Sequence, residues 1–307
     1  ATQEGLDTLA CIEAAAKGEM NAALIMGGNL LQATPHLQWA SEALANIPFK
    51  LFLTTTLNRG HIRSLENTEA IILPVAARDE EPQSTTQESM FNFVRMSDGG
   101  ITRISNAKPE VDILVSLAQE TLGENSRIDY SVFSSRQSIR EVIAQTVPGM
   151  QELHDIDVAR KEFHVQNRLM HEPRFKTENS KAKFISAEIP EMINPAFPFR
   201  LMSVRSEGQF NSIIYEESDS YRGTQHRWVL MMNNQDIVRL GLQPGDKVDV
   251  ESAYGAMQGV ELVAFDLPAG DVMAYYPEAN VLIGLERDDR SKTPAFKSAA
   301  VKISIGS

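Results

Sequence analysis

The sequence predicts a mixed fold: an α/β region built on a parallel sheet, followed by a compact β-barrel. Two observations carry this expectation. Up to about residue 76, helix-periodic segments alternate with short apolar strands, the pattern of a parallel sheet flanked by helices. After "INPAFPF" at 193–199 the pattern changes to short alternating strands separated by turns. At 307 residues, 42% of them hydrophobic, the chain is long enough for two ordinary cores.

In chain order, the spacing of Leu9, Ile12 and Ala16 predicts a helix over 6–17. "NAALIMGGN" (21–29) reads as a short, fully buried strand that breaks at Gly27-Gly28. Leu37, Ala40, Leu44 and Ile47 mark a second helix, and "FKLFLTTT" (49–56) and "EAIILPVA" (69–76) two further strands. Helices are predicted over 110–122 and 136–147, the second closed by Pro148-Gly149. From about 148 to 190 the chain turns polar, with His154, His164 and His171 among scattered apolar residues, and reads as a connector wrapped over the surface. Beyond it come a strand at "RLMSVR", a short helix over 234–240, and strands at "KVDVESAYG", "AMQGVELVAF", "DVMAYY" and "SAAVKISI". Pro244 and Gly245 fix a turn before the second of these strands. No internal repeat is visible.

Composition removes several classes of function. The longest apolar runs, near 22–26 and 70–77, are strand-sized and far short of the roughly 20 residues that a bilayer helix needs, so no membrane span is expected. The first residues lack the basic and continuous apolar regions of a signal peptide, which points to a mature cytoplasmic protein. With no initiator Met, the chain is expected to begin partway through a longer polypeptide. A single cysteine, Cys11, excludes an internal disulfide and a cysteine-rich zinc or iron–sulfur site in this chain, and reads as a core residue. A net charge of −12 argues against nucleic acid as a partner, while leaving room for a local basic pocket that takes a phosphorylated small molecule.

Four polar constellations stand out. Gly27-Gly28-Asn29 at a strand end lets backbone N–H groups approach a phosphate, or forms a plain strand-to-helix turn; it is not the G-x-G-x-x-G fingerprint. "TTTLNRGH" (54–61) sets hydroxyls, an amide, Arg59 and His61 at the adjacent strand end, where ligands of such sheets bind. In "SVRSEGQFN", Arg205, Glu207, Gln209 and Asn211 alternate, so an extended chain turns them to one side as a ligand wall or a polar edge strand. Asn280 and Lys297, each flanked by apolar positions, suit an anionic heterocycle in a cleft at the barrel end, or a turn and an exposed lysine. No nucleophile elbow or metal-binding histidine spacing occurs, and His226 reads as a loop side chain. Any chemistry must come from a cofactor or from residues outside the chain.

The segments "LIMGGN", "TTTLNRGH…AIILP", "VRSEGQFNSIIY…DSYRG…VLMMNNQDIVRLGLQPGDKVDVES" and "ANVL…KTPAFKSAAVKI" resemble, in this order, the C-terminal half of the molybdopterin oxidoreductases, the family of formate dehydrogenase. The resemblance covers nearly the whole chain. It implies a Rossmann-like α/β domain over 1–130, a connector over 131–194 and a double-psi β-barrel over 195–307. It also implies a bis-(molybdopterin guanine dinucleotide) cofactor carrying molybdenum or tungsten. Carried over by motif, Gly27, Gly28, Asn29, Thr55, Thr56, Leu57, Asn58 and His61 would line a guanine-diphosphate end. Ser203, Arg205, Ser206, Glu207, Gln209, Asn280 and Lys297 would contact pterin and phosphates, with the loop 215–223 as rim.

The family's cluster-binding cysteines and metal ligand have no counterpart here. The 4Fe–4S cluster and the metal ligand are therefore expected in a missing N-terminal half or companion subunit, with an electron-transfer partner and a small-molecule substrate, and the isolated chain is expected to be inactive. A non-catalytic binding or assembly module that keeps the fold without the cofactor is the alternative. A nicotinamide-dependent dehydrogenase is a weaker one, opposed by the missing glycine fingerprint and the barrel.

Overall fold

A computed structural model describes residues 4–66, 68–123, 126–166, 173–186, 194–210 and 215–306. Asn211 and His171 lie outside the described residues. By contacts the chain divides into two compact units, one of Ala1–Leu73 with Ile189–Ser307 and one of Pro74–Glu188. These limits differ from the three segments drawn along the sequence.

The first unit opens with helix α1 (Thr8–Ala16), whose first turn is capped by the Asp7 carboxylate accepting from the Ala10 N–H at 2.9 Å. Leu9, Ile12 and Ala15 are buried, whereas Cys11 is only half-buried and so is not the core residue that its spacing suggested. Strand β1 (Ala22–Met26), the one-turn helix α2 (Leu30–Ala33), helix α3 (Leu37–Ala45), strand β2 (Phe49–Thr54) and strand β3 (Glu69–Pro74) follow. The sheet order is β1-β2-β3, with β1 and β2 parallel and Leu24 beside Leu51. Ile12, Ala15, Leu31, Ala40, Leu44 and Ile47 form the core beneath one face of the sheet. The apolar residues of α3 recur every three or four positions, so they share the face that packs there. Strand β1 is not fully buried as expected; its burial alternates.

The second unit holds β4 (Thr85–Glu88), β5 (Phe93–Ser97), α4 (Glu110–Leu122), α5 (Arg136–Thr146), α6 (Ile156–Ala159) and β6 (Phe163–His164). Its sheet is antiparallel, in the order β4-β5-β6. The expected surface connector is in part core: Met150, Leu153, Ile156, Phe163 and Val165 pack with Val94 and Ala144. Too few apolar residues lie in a regular period for this to show in the sequence. Buried Arg136 donates to Glu81 at 3.0 Å and faces Asp112 at 2.9 Å, and buried Arg140 pairs with Asp157.

The barrel completes the first unit with β7 (Phe199–Val204), β8 (Val229–Met232), α7 (Asn234–Arg239), β9 (Lys247–Glu251), β10 (Ala256–Ala264), β11 (Asp271–Tyr275) and β12 (Ala299–Ile305). Its strands close in the order β10-β8-β11-β7-β12-β9, with parallel pairs β7·β11 and β8·β10 among antiparallel ones. Closure removes every edge, and Leu201, Leu230, Val250, Leu262, Val272 and Val301 fill the interior. The chain is therefore a mixed α/β protein with a parallel sheet and a closed six-stranded barrel.

Candidate functional site

The ends of β1 and β2 are tied together by short-range polar chemistry. Gly27 and Gly28 have φ of 57° and 68°, the left-handed region where a side chain is strained. An added Cβ at either would meet nothing within 4 Å, so torsion rather than space requires glycine. The Gly27 N–H donates to the Leu53 carbonyl at 2.7 Å and extends the ladder. Asn29, nearly buried, donates its amide to Gln32 Oε1 at 2.6 Å at the start of α2.

Across from it, Asn58 acts as a latch. Its Nδ2 donates to the Gly28 carbonyl at 2.9 Å, its Oδ1 accepts from the Gly60 N–H at 2.9 Å, and its own N–H donates to His61 Nδ1 at 3.0 Å. His61 is buried edge-on against Phe52, and desolvation lowers its pKa, so the neutral ring accepts at Nδ1. Its position behind the loop makes it a support for the loop and no part of the cleft wall.

In front of this latch lies a cleft of about 510 Å³ lined by Asn29, Gln32, Thr56, Leu57, Asn58 and Arg59 from the α/β part and by Tyr215, Glu217, Arg227, Trp228 and Glu278 from the barrel part. Four of the sequence-predicted residues, Asn29, Thr56, Leu57 and Asn58, meet here. Gly27, Gly28, Thr55 and His61 do not line it.

The segment 205–209 departs from the extended, one-sided arrangement expected of it. The Gln209 N–H donates to the Ser206 carbonyl at 3.2 Å and Gly208 takes φ of 65°, so the chain turns. Ser206 and Gln209 consequently point inward and are buried, while Arg205 is exposed and donates to the Phe210 carbonyl at 2.9 Å. Glu207 accepts from the Ser220 hydroxyl.

The centre of this region is Arg227, only 3% exposed. It donates to Glu278 Oε1 at 2.7 Å, Ser206 Oγ at 2.6 Å, Gln209 Oε1 at 3.1 Å and the Tyr276 carbonyl at 2.6 Å. Its guanidinium stacks over Tyr215 at 4.1 Å and Tyr275 at 4.8 Å. A planar fork with five donors suits so many partners where an ammonium does not. Arg227 thus joins the cleft wall to the turn at 206–209.

Arg205, Arg222 and Lys297 form a cationic group: Arg222 donates to the Arg205 carbonyl at 3.0 Å, and both arginines act on the lysine. Lys297 donates to the Ser203 carbonyl, and desolvation, with Arg205 and Arg222 nearby, lowers its pKa. Arg222 is anchored by the buried Asp219, which accepts from it at 2.7 Å and from the Tyr275 hydroxyl at 2.8 Å. Burial pushes the Asp219 pKa up, but these donors and the backbone N–H groups of Glu207 and Tyr221 outweigh it and hold the carboxyl below its ordinary range. Ser203 Oγ and Asn280 Oδ1 are buried without a hydrogen-bond partner among the described residues. Asn280 Nδ2 donates to the Gln32 carbonyl at 2.7 Å, binding the barrel loop to α2 instead of reaching into the cleft.

Tyr215, Glu217 and Asp219 fall in the loop 215–223 expected as rim, whereas Arg227, Trp228 and Glu278 escaped sequence reasoning. The one available signal was the clustering of Arg222 and Arg227 after two tyrosines and three carboxylates in "YEESDSYRGTQHR". No group of His, Cys, Asp and Glu that could hold a metal occurs among the described residues.

Residues 199–300, almost the whole barrel, match the family described as the molydopterin dinucleotide binding domain. An uncharacterized oxidoreductase of Mycobacterium tuberculosis is 31% identical over 97% of this chain and 41% of its own length. A formate dehydrogenase alpha subunit of Methanocaldococcus jannaschii is 24% identical over 91% of this chain and 42% of its own. Among solved structures, acetylene hydratase from Pelobacter acetylenicus superposes with a TM-score of 0.69 at 14% identity, over 96% of this chain and 46% of that one, a likeness of fold. The chain is similar to these oxidoreductases, and the match of its barrel supports a molybdopterin-type cofactor. It spans about two fifths of the length of the curated relatives it matches.

Proposed function

We propose that the chain is the C-terminal portion of a molybdopterin-dependent oxidoreductase resembling formate dehydrogenase, and that the cleft and the barrel mouth hold bis-(molybdopterin guanine dinucleotide). The observation that carries this reading is the joining of the β1 and β2 ends to a dinucleotide-binding barrel in one cleft of about 510 Å³. The residues present fit the group. Glu217 and Glu278 supply acceptors for the N–H groups of a base, Tyr215 and Trp228 supply flat apolar surface, and Arg59 supplies charge for phosphate. Arg205, Arg222 and Lys297 offer a second cationic patch, and the unpartnered Ser203 Oγ adds a hydroxyl.

When bound, the cofactor supplies two-electron redox chemistry at molybdenum or tungsten. The work of this chain is to bind and orient it, with Arg227 fixing both the cleft wall and the turn that carries Ser206 and Gln209. The metal ligand and a 4Fe–4S cluster belong, in this reading, to an N-terminal half or companion subunit that also meets an electron-transfer partner, so the isolated chain is inactive. The barrel is of the double-psi type, a winding supported by its two parallel pairs among antiparallel ones. The family domains fall at 1–130, 131–194 and 195–307, and the location is cytoplasmic; no helix among the described residues is long and apolar enough to cross a membrane. Arg205→Ala and Lys297→Ala, introduced into the protein made from its full reading frame, are expected to lower bound pterin at least several-fold. Unchanged pterin in both would remove the barrel-mouth assignment.

A further inference from the structure

The loop that brings Thr56, Leu57, Asn58 and Arg59 to the cleft rests on one imidazole. After Asn58 the chain makes a single 3-10 turn, Arg59–His61, that closes reciprocally: Asn58 Oδ1 accepts from the Gly60 N–H, and His61 Nδ1 accepts from the Asn58 N–H at 3.0 Å. Asn58 Nδ2 in turn donates to the Gly28 carbonyl at 2.9 Å, so the ring fixes the residue that joins the ends of β1 and β2. A nitrogen that accepts carries a lone pair, so the neutral ring has its proton on Nε2.

The surroundings of the ring oppose a charge on it. His61 is 3% exposed and shares a cavity of about 20 Å³ with Lys50 and Arg63. A space of that size has room for roughly one water, too little to hydrate an imidazolium. The charged groups that line the cavity are Lys50 from β2 and Arg63 from the segment of His61 itself, both cations, and no carboxylate lines it. Strand β1 contributes Ile25, helix α2 Leu30 and Leu31, and helix α3 Leu44. Arg59, on the same turn, lines the cleft. A proton taken up at Nδ1 would face the Asn58 N–H, donor against donor, and break the bond that closes the turn.

We propose that neutral His61 is a positioning residue for the cofactor cleft, holding Asn58 and the 56–59 loop in the binding arrangement, and that its protonation opens this latch and releases the end of the cofactor held there. The proposal rests on the reading of the cleft as a cofactor site. Its sign follows from linkage. Desolvation lowers the pKa of the buried ring below its ordinary 6.5, whereas a ring freed to water regains that value. The open fraction is therefore constant well above pH 6.5 and grows about tenfold per pH unit below it, until the lowered pKa is reached.

The test follows hydrogen-exchange protection of residues 57–61, corrected for the intrinsic pH dependence of exchange, together with pterin content, in the protein made from its full reading frame. Between about pH 7.5 and about pH 5, protection is expected to fall tenfold or more, with pterin lost in parallel. His61→Asn keeps an acceptor oxygen near the place of Nδ1 and takes up no proton, so both readouts are expected to stay level across the range. His61→Leu, without an acceptor, is expected to lower both at every pH, a loss that the asparagine rescues. In histidine-labelled protein, the nitrogen shifts of His61 at neutral pH are expected to show the proton on Nε2. A proton on Nδ1, protection that does not change with pH, or the same acid loss in His61→Asn would each overturn the proposal, and these outcomes stand even if His61→Leu does not fold. Protection lost while pterin stays bound would overturn the role of the latch in binding. A protein without pterin at any pH would sink the cofactor reading, while the protection of 57–61 would still decide the latch.

Discussion

At the scale of the residue, Arg227 carries more than any side chain that the sequence singled out. Its buried guanidinium satisfies a carboxylate, a hydroxyl, an amide oxygen and a backbone carbonyl, and it lies over two tyrosine rings. Removing one partner of a buried pair leaves the other charge without compensation, at a cost of roughly 3–5 kcal/mol. Arg227→Met is therefore expected to lose about 3 kcal/mol in urea unfolding, partly recovered in Arg227→Met/Glu278→Met, where no charge is stranded. A double variant as unstable as the single one would show that the guanidinium acts through its stacking rather than through Glu278. Arg205 and Lys297 were visible as candidates because each stands in its own contiguous motif. Arg227 was not, because its partners come from residues 206, 209, 276 and 278, and only folding brings them together.

At the scale of the element, β2 contains a buried lysine that no strand pattern anticipates. Lys50 Nζ donates to the Ser64 carbonyl and to Thr68 Oγ1, both at 2.9 Å, and so pins the segment after the strand. Burial lowers its pKa from 10.5 to about 8, with Glu66 opposing. A base whose folded pKa lies below its unfolded value binds fewer protons folded than unfolded between the two. Stability is therefore expected to rise with pH from about 8 to 10.5, by an amount of order 3 kcal/mol. Lys50→Met should flatten that rise; an identical slope in the variant would mean that Lys50 is not its source. The main elements of the α/β region and barrel were legible from periodicity and turn residues, since α3, β2 and β9–β12 fall where those signals lie. The second unit's core was not, because Met150, Leu153, Ile156 and Phe163 come from short, irregular segments with no sustained period. The turn at 206–209 was misread as extended because the left-handed torsion of Gly208 reverses the chain inside an apparent alternation.

At the scale of the whole molecule, the closed barrel and the latched strand ends belong to one compact unit, and the cleft uses residues from both. In the proposed reading, cofactor binding follows from that joining: the α/β part offers amides and hydroxyls at Asn29, Thr56 and Asn58, and the barrel part offers carboxylates, aromatic rings and Arg227. The resemblance named the strand-end residues and the barrel residues as two groups; in the structure Asn280 ties the barrel to α2, and Arg227 ties the cleft wall to the turn at 206–209. The most direct test of the account is to purify the protein from its native host, expressed from its full reading frame, and to measure oxidised-pterin fluorescence together with molybdenum and tungsten. The account predicts about two pterins and one metal per protein, with guanine nucleotide released on hydrolysis of the extracted cofactor. A folded protein that contains no pterin and no metal would contradict it.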